Sequence, residues 1–168
     1  IEFCNIETLV PTLFEEGKTP LLMVLDGVTD VRNFGAIART CACAGADALI
    51  IGTHGSVAIN GDAVKTSAGA LYHLPVCKVE NMQNCLQFLR DSGFHVVAAT
   101  EHATQNYTEA DMTAPTAIVM GSEEKGIYEQ NLRICSHQVR IPMSGVIESL
   151  NVSVAAGVML YEAVRQRG

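Results

Sequence analysis

Three short stretches of this chain concentrate the glycine, amide, hydroxyl and carboxyl groups that bind and orient small ligands. They are Asp26-Gly27-Val28-Thr29-Asp30-Val31-Arg32-Asn33, Gly121-Ser122-Glu123-Glu124-Lys125-Gly126 and Pro142-Met143-Ser144-Gly145-Val146-Ile147-Glu148-Ser149-Leu150-Asn151. The common signatures of phosphate, dinucleotide and acyl-transfer chemistry fail by spacing. Gly17-Lys18-Thr19 has the end of a phosphate-binding loop, but the earlier glycine that loop needs is Thr12. No G-x-G-x-x-G follows the first apolar run, and the residue two before Ser144 is Pro142, so a nucleophile elbow is missing too. His54, His73, His95, His102 and His137 show neither metal-ligand pairing nor a nucleophile at an informative distance. Cys4, Cys41, Cys43, Cys77, Cys85 and Cys135 lack the C-x-x-C spacing of zinc sites and read as reduced, mostly buried thiols. No metal is expected. The four tyrosines, Tyr72, Tyr107, Tyr128 and Tyr161, are scattered and form no stacking platform legible in the sequence.

The elements around these stretches alternate between strand and helix. A short helical pattern runs through Ile6, Leu9, Val10 and Leu13, and Glu15 to Pro20 reads as a linker. Apolar runs predict strands over Leu21 to Leu25, Ala48 to Ile51, His95 to Ala99, Ala117 to Met120 and Val139 to Ile141. Helices are predicted over Phe34 to Ala44, with Asn33 as N-cap and Gly45 past the end, and over Asp62 to Leu71 and Asn81 to Asp91. The last helix runs from about Asn151 to Arg167, with an apolar stripe of Val152, Ala155, Ala156, Met159, Leu160 and Ala163. Strands apolar on both faces and alternating with helices predict an α/β fold, a mostly parallel sheet with helices on both faces. In such sheets ligands sit beyond the carboxyl ends of the strands, where all three polar stretches fall.

At 168 residues the chain is the size of about one domain. Hydrophobic residues make up 48% and charged residues 17%, which excludes a disordered chain. No apolar run reaches the roughly 18 residues of a membrane span, and no basic-then-apolar leader opens the chain. The expected compartment is the cytoplasm, and a chain opening on Ile1 reads as a processed form or a fragment. The net charge of −7 argues mildly against a free-standing nucleic-acid binder, although a separate domain could supply that grip.

Taken together, the three stretches match one family. Asn33-Phe34-Gly35-Ala36-Ile37-Ala38-Arg39-Thr40 resembles the first motif of the SpoU-type RNA ribose 2′-O-methyltransferases of the SPOUT superfamily. Gly121 to Gly126 resembles the second. Ile141-Pro142-Met143-Ser144-Gly145 with Ser149-Leu150-Asn151-Val152-Ser153-Val154-Ala155 resembles the third. The motifs come in family order across roughly residues 20 to 167. Two departures stand out: Val31 where the family often has Pro, and Glu124 where it usually has Gly.

The resemblance implies a C-terminal trefoil knot, S-adenosylmethionine as cofactor and a homodimer. It implies cofactor contacts at Thr100, Gly121, Ile141, Met143 and Leu150, and catalytic roles for Arg39, Asn33, Glu123, Ser149 and Asn151. Residues 1–18 would be a linker or the stub of an N-terminal substrate-binding domain, with the catalytic domain over 19–168. Thr66 to Ala70 and Leu74-Pro75-Val76 look like the members acting on guanosine in ribosomal RNA. The alternatives are a transfer-RNA 2′-O-methyltransferase, or a non-catalytic RNA-binding or assembly protein with the same fold. A nucleotide-dependent dehydrogenase is disfavoured by the missing glycine fingerprint.

Methyl transfer from a sulfonium to a ribose hydroxyl needs an aligned, activated oxygen. Arg39 is a poor literal base, because a guanidinium with a pKa above about 12 is almost never neutral. It suits pairing with a phosphate and steadying developing alkoxide charge. Plainer roles remain open: Asn33 as a helix cap, Ser149 and Asn151 as caps of the final helix, Arg39 as a surface arginine with a packed stem. Arg32 and Lys65 are weaker candidates for RNA contact.

Overall fold

Leu21 to Asp26 is buried along its whole length, and its residues alternate between two separate cores. Leu21, Met23 and Leu25 face one, Leu22 and Val24 the other. The same division recurs in Leu49 and Ile51 against Ala48 and Ile50, and in Ile118 and Met120 against Ala117 and Val119. A strand apolar at every position has both faces covered by other elements.

The computed structural model describes residues 2–53, 67 and 69–168. Its strands are β1 (Phe3–Cys4), β2 (Leu21–Asp26), β3 (Ala48–Gly52), β4 (Val76–Val79), β5 (His95–Ala99), β6 (Gln105–Asn106), β7 (Thr116–Gly121) and β8 (His137–Arg140). Its helices are α1 (Ile6–Glu15), α2 (Val31–Ala44), α3 (Met82–Asp91), α4 (Glu129–Leu132) and α5 (Val152–Gln166). The strands form one sheet in the order β1-β4-β3-β2-β7-β5-β8-β6, with every pair parallel. The α2 and α5 helices bury Phe34, Ile37, Ala38, Ala156, Met159 and Leu160 on one face. On the other, α1 and α3 bury Ile6, Val10, Leu13, Leu86 and Leu89. The α/β class with helices on both faces is thus as expected. The order reverses between β2 and β7, and in such sheets ligands bind beyond the carboxyl ends of the strands.

Four elements escaped the sequence reading: β1, β4, β6 and α4, all short. The β8 strand spans His137–Arg140 instead of the expected 139–141, because an edge-side strand tolerates His137 and Gln138. The helix expected over Asp62 to Leu71 falls mostly outside the described residues, as do His54 and Lys65; at its end Ala70–Tyr72 form a single 3-10 turn. Gly45 closes α2 as expected, with φ 79° and its N–H donated to Ala42 and Cys41 carbonyls.

The start of α2 corrects the sequence reading. Asp30, not Asn33, is the N-cap, and its Oδ1 accepts the Asn33 N–H at 2.9 Å. An aspartate three residues upstream caps as well as an asparagine, and the helix gains three residues. Asn33 therefore lies inside the first turn with its side chain free for another partner.

At the opposite end of the central strands the last turn of α5 ties two loops together. Arg167 donates to the carbonyls of Met112 (2.8 Å), Thr19 (2.7 Å), Pro20 (3.1 Å) and Ala114 (2.9 Å). The entries to β2 and β7 are held there together.

Candidate functional site

Gly121 ends β7 beside Asp26, its register partner at the end of β2. The chain then turns sharply: Gly126 N donates to the Ser122 carbonyl at 2.8 Å, with Gly126 at φ +67°. That turn brings backbone directly over Gly121. A Cβ there would stand 2.2 Å from the Gly126 carbonyl carbon and 2.3 Å from Ile127 N, so only glycine fits.

The same turn is anchored from below. Asp26 is 5% exposed, and its Oδ2 accepts the Tyr128 N–H and the Asn131 Nδ2, both at 3.0 Å. Burial, and secondarily the Asp26 carboxyl, push the nearby Cys135 thiol up to about 12. Cys41, Cys77 and Cys85 are likewise pushed to about 12 by burial, and all six cysteines are free. In the sequence Asp26 is the first residue of a polar stretch just past a strand, and its role as an anchor for the 121–128 turn was missed. A single carboxylate closing a wholly apolar run was the available signal.

The third loop crosses to meet the other two. Asn151 caps α5, its Oδ1 accepting the Ser153 N–H at 2.9 Å, and its Nδ2 donates to Asn33 Oδ1 at 3.3 Å. Glu123 Oε1 accepts the Val152 N–H at 2.9 Å, satisfying a second donor at the same helix start. Asn33, Glu123 and Asn151 thus form one network joining three segments up to 118 positions apart. Capping and site assembly are here the same set of bonds.

Beside this network lie two adjoining cavities of about 500 and about 640 Å³, within the range of small-ligand sites. Ala99, Thr100, Met120, Ser149, Leu150 and Ala155 border both. Ile141 and Met143 line the first, and Gly121 and Glu123 the second. All five residues expected at a cofactor, and Ser149, therefore meet in one cleft. Apolar walls from Met120, Ile141, Leu150 and Ala155 suit a flat ring, while Glu101, Glu123 and Glu148 on the same walls suit a cation. Glu124, Lys125 and Tyr128 also line the second cavity.

Arg39 stands apart. It borders neither cavity, is exposed on α2, and its side chain makes no hydrogen bond or ion pair among the described residues. Six positions beyond Asn33, it is turned about 120° around the helix and lies about 9 Å along it. A single chain does not bring it to the cleft. Among the described residues no cluster of three or more His, Cys, Asp or Glu is built to hold a metal, and no helix is long and apolar enough to cross a membrane.

A parallel α/β sheet with a cleft beyond the carboxyl ends of β5, β7 and β8 has the architecture of a small-ligand-binding domain. Comparison with known proteins narrows it. Residues 20–161 match the model of the SpoU rRNA methylase family, and the chain belongs to that family. It is 41% identical over 162 residues to a 23S rRNA (guanosine-2′-O-)-methyltransferase, RlmB, of Yersinia pestis, covering 96% of this chain and 66% of the relative. A crystal structure of AdoMet-bound rRNA methyltransferase from Sinorhizobium meliloti superposes with a TM-score of 0.87 at 27% identity, covering 98% of this chain and 61% of that one. The SpoU methyltransferase AviRb of Streptomyces viridochromogenes, in complex with AdoMet, gives a TM-score of 0.82 at 32% identity, covering 89% and 58%. The chain spans less than two thirds of the length of these proteins.

Proposed function

We propose that this chain is the catalytic domain of an S-adenosylmethionine-dependent RNA ribose 2′-O-methyltransferase acting on guanosine in large-subunit ribosomal RNA. The observation that carries this is the single cleft into which Thr100, Gly121, Ile141, Met143 and Leu150 converge. Its fit to the cofactor is chemical: apolar walls for adenine, carboxylates for a sulfonium, and a glycine crossing that fixes one wall. The similarity to RlmB of Yersinia pestis supports the guanosine and ribosomal targets over transfer RNA.

When bound, S-adenosylmethionine supplies an already activated methyl group. The residues of the chain then have to place the ribose hydroxyl in line and steady the charge that grows on its oxygen. Asn33, Glu123 and Asn151 hold the first and third loops at fixed separation, and Ser149 offers a hydroxyl at the cleft rim. Arg39 supplies a permanent cation for phosphate and developing alkoxide. Its separation from the cleft of its own chain supports a homodimer in which it serves the partner's cleft. The exposed Val146, Ile147, Val154 and Tyr161 around α5 are the apolar surface such a dimer would cover. The return of the third loop across α2 and the second loop is consistent with a C-terminal trefoil knot, and the family suggests a cytoplasmic protein.

Calorimetry with S-adenosylhomocysteine tests the cleft, and mass spectrometry of 23S rRNA from a strain lacking the gene tests the target. Binding together with one missing guanosine 2′-O-methyl supports the proposal. The isolated position of Arg39 also fits a non-catalytic RNA-binding protein; no cofactor binding by folded protein would establish that reading instead. Arg39→Ala should abolish methylation while leaving cofactor affinity within a few-fold.

A further inference from the structure

Tyr128 is the only Phe, Trp or Tyr bordering either cavity among the described residues, and it is 44% exposed. The other exposed tyrosines, Tyr72 and Tyr161, border neither cavity. Its position is set before any ligand arrives. The buried Asp26 carboxyl holds its backbone N–H at 3.0 Å, and its ring edge lies 3.5 Å from where a Cβ on Gly27 would stand. Gly27, at φ +83°, turns the first loop so that its backbone passes beside this ring. A half-exposed ring fixed at a cleft loses little freedom when a second flat group covers it.

We infer that Tyr128 is the platform on which the base of the target RNA nucleotide stacks, an inference resting on the RNA-methylation reading above. Of the expected cofactor residues, Ile141 and Met143 border only the first cavity, whereas Thr100, Gly121 and Leu150 border the second, so the substrate is assigned the 123–129 side of the second cavity. Three carboxylates there, Glu123, Glu124 and Glu129, stand against a single lysine, Lys125, so the site is badly suited to gripping phosphate. The face of an uncharged base avoids that repulsion. Aromatic rings are the usual means of holding a base splayed out of an RNA strand.

The test uses methyl transfer to an unmodified 23S rRNA transcript and calorimetry with S-adenosylhomocysteine. Tyr128→Ala and Tyr128→Leu should raise KM for the transcript about tenfold, within the range expected of one stacked base, while Tyr128→Phe stays within about twofold. Affinity for S-adenosylhomocysteine should hold within about twofold in all three. Unchanged KM in Tyr128→Ala overturns the inference, as does Leu performing as well as Phe, which would make the ring a mere apolar filler. A loss of S-adenosylhomocysteine affinity matching the rise in KM also overturns it, assigning the ring to the cofactor's adenine. Wild-type protein that binds S-adenosylhomocysteine yet methylates no transcript removes the RNA reading, and this inference with it.

Discussion

Replacing Gly121 by alanine drives a methyl group into backbone. The added carbon would lie 2.2 Å from Gly126 C, 2.3 Å from Ile127 N and 2.5 Å from Gly126 O. Ordinary contact needs roughly 3.5 Å or more, so the 122–127 turn must retreat by more than about 1 Å. Overpacking alone costs about 1–3 kcal/mol. Retreat also pulls Tyr128 N away from Asp26, and a hydrogen bond to a buried carboxyl is worth about 1.5–3 kcal/mol. The expected loss is about 3 kcal/mol, roughly two powers of ten in the folding constant, with S-adenosylhomocysteine affinity falling at least tenfold as one cleft wall shifts. Two neighbours calibrate the result. Gly126 at φ +67° has open space where its Cβ would go, so alanine there meets only the left-handed strain of about 1–2 kcal/mol. Gly145 has open space and no such φ, so its alanine variant should stay within about 0.5 kcal/mol. Urea unfolding of the three variants measures the order directly. Gly121→Ala as stable as Gly145→Ala would refute the close-crossing argument.

Other perturbations test the network and the C-terminal helix. Asn33→Ala removes the acceptor for Asn151 Nδ2 but leaves both helix caps in place; S-adenosylhomocysteine affinity should fall only a few-fold and stability by about 1 kcal/mol, while methyl transfer falls far more. Equal losses in binding and turnover would make Asn33 a purely structural tie. Glu162, buried on α5, is held below the usual carboxylate range chiefly by its hydrogen bond from Arg165, with help from Gln166. A depressed carboxyl stabilises the fold above its ordinary value near 4.5 and loses that contribution as pH falls through the lower folded value. Unfolding free energies from about pH 6 to about pH 3 should therefore fall more steeply in wild type than in Glu162→Gln. Parallel curves would show that the carboxylate carries no such linkage.

Much of the fold was legible because long apolar runs such as Leu21 to Leu25 and Ala48 to Ile51 admit few other readings. Short elements were not: β4 hides behind Pro75 and contains Lys78, and β1 and β6 have two residues each, too few for any period. The cleft was legible through motif order, since each loop's polar residues follow a strand end. Its supports were not. Nothing near Tyr128 in sequence marks it as adjacent to Gly27, because that contact bridges about a hundred residues and depends on Asp26 being buried. The N-cap of α2 was misplaced for a local reason: Asp30 and Asn33 are both good caps, and only the network to Asn151 decides which side chain is needed elsewhere. Arg39, expected from the motif to be catalytic, lies exposed on α2 and borders neither cavity of its own chain, and its catalytic reading needs a second copy that one sequence does not display.

The cleft borrows its walls from positions 99–102, 120–129 and 140–155, none of which can form it alone. A ligand lodged there consequently has nothing to hold in an unfolded or half-built chain, and its binding energy reports only on finished molecules. Above saturation each tenfold rise in S-adenosylhomocysteine should add about 1.4 kcal/mol to the unfolding free energy. The melting temperature should go on climbing with ligand long after every site is filled, which makes a simple thermal titration a measure of completed assembly.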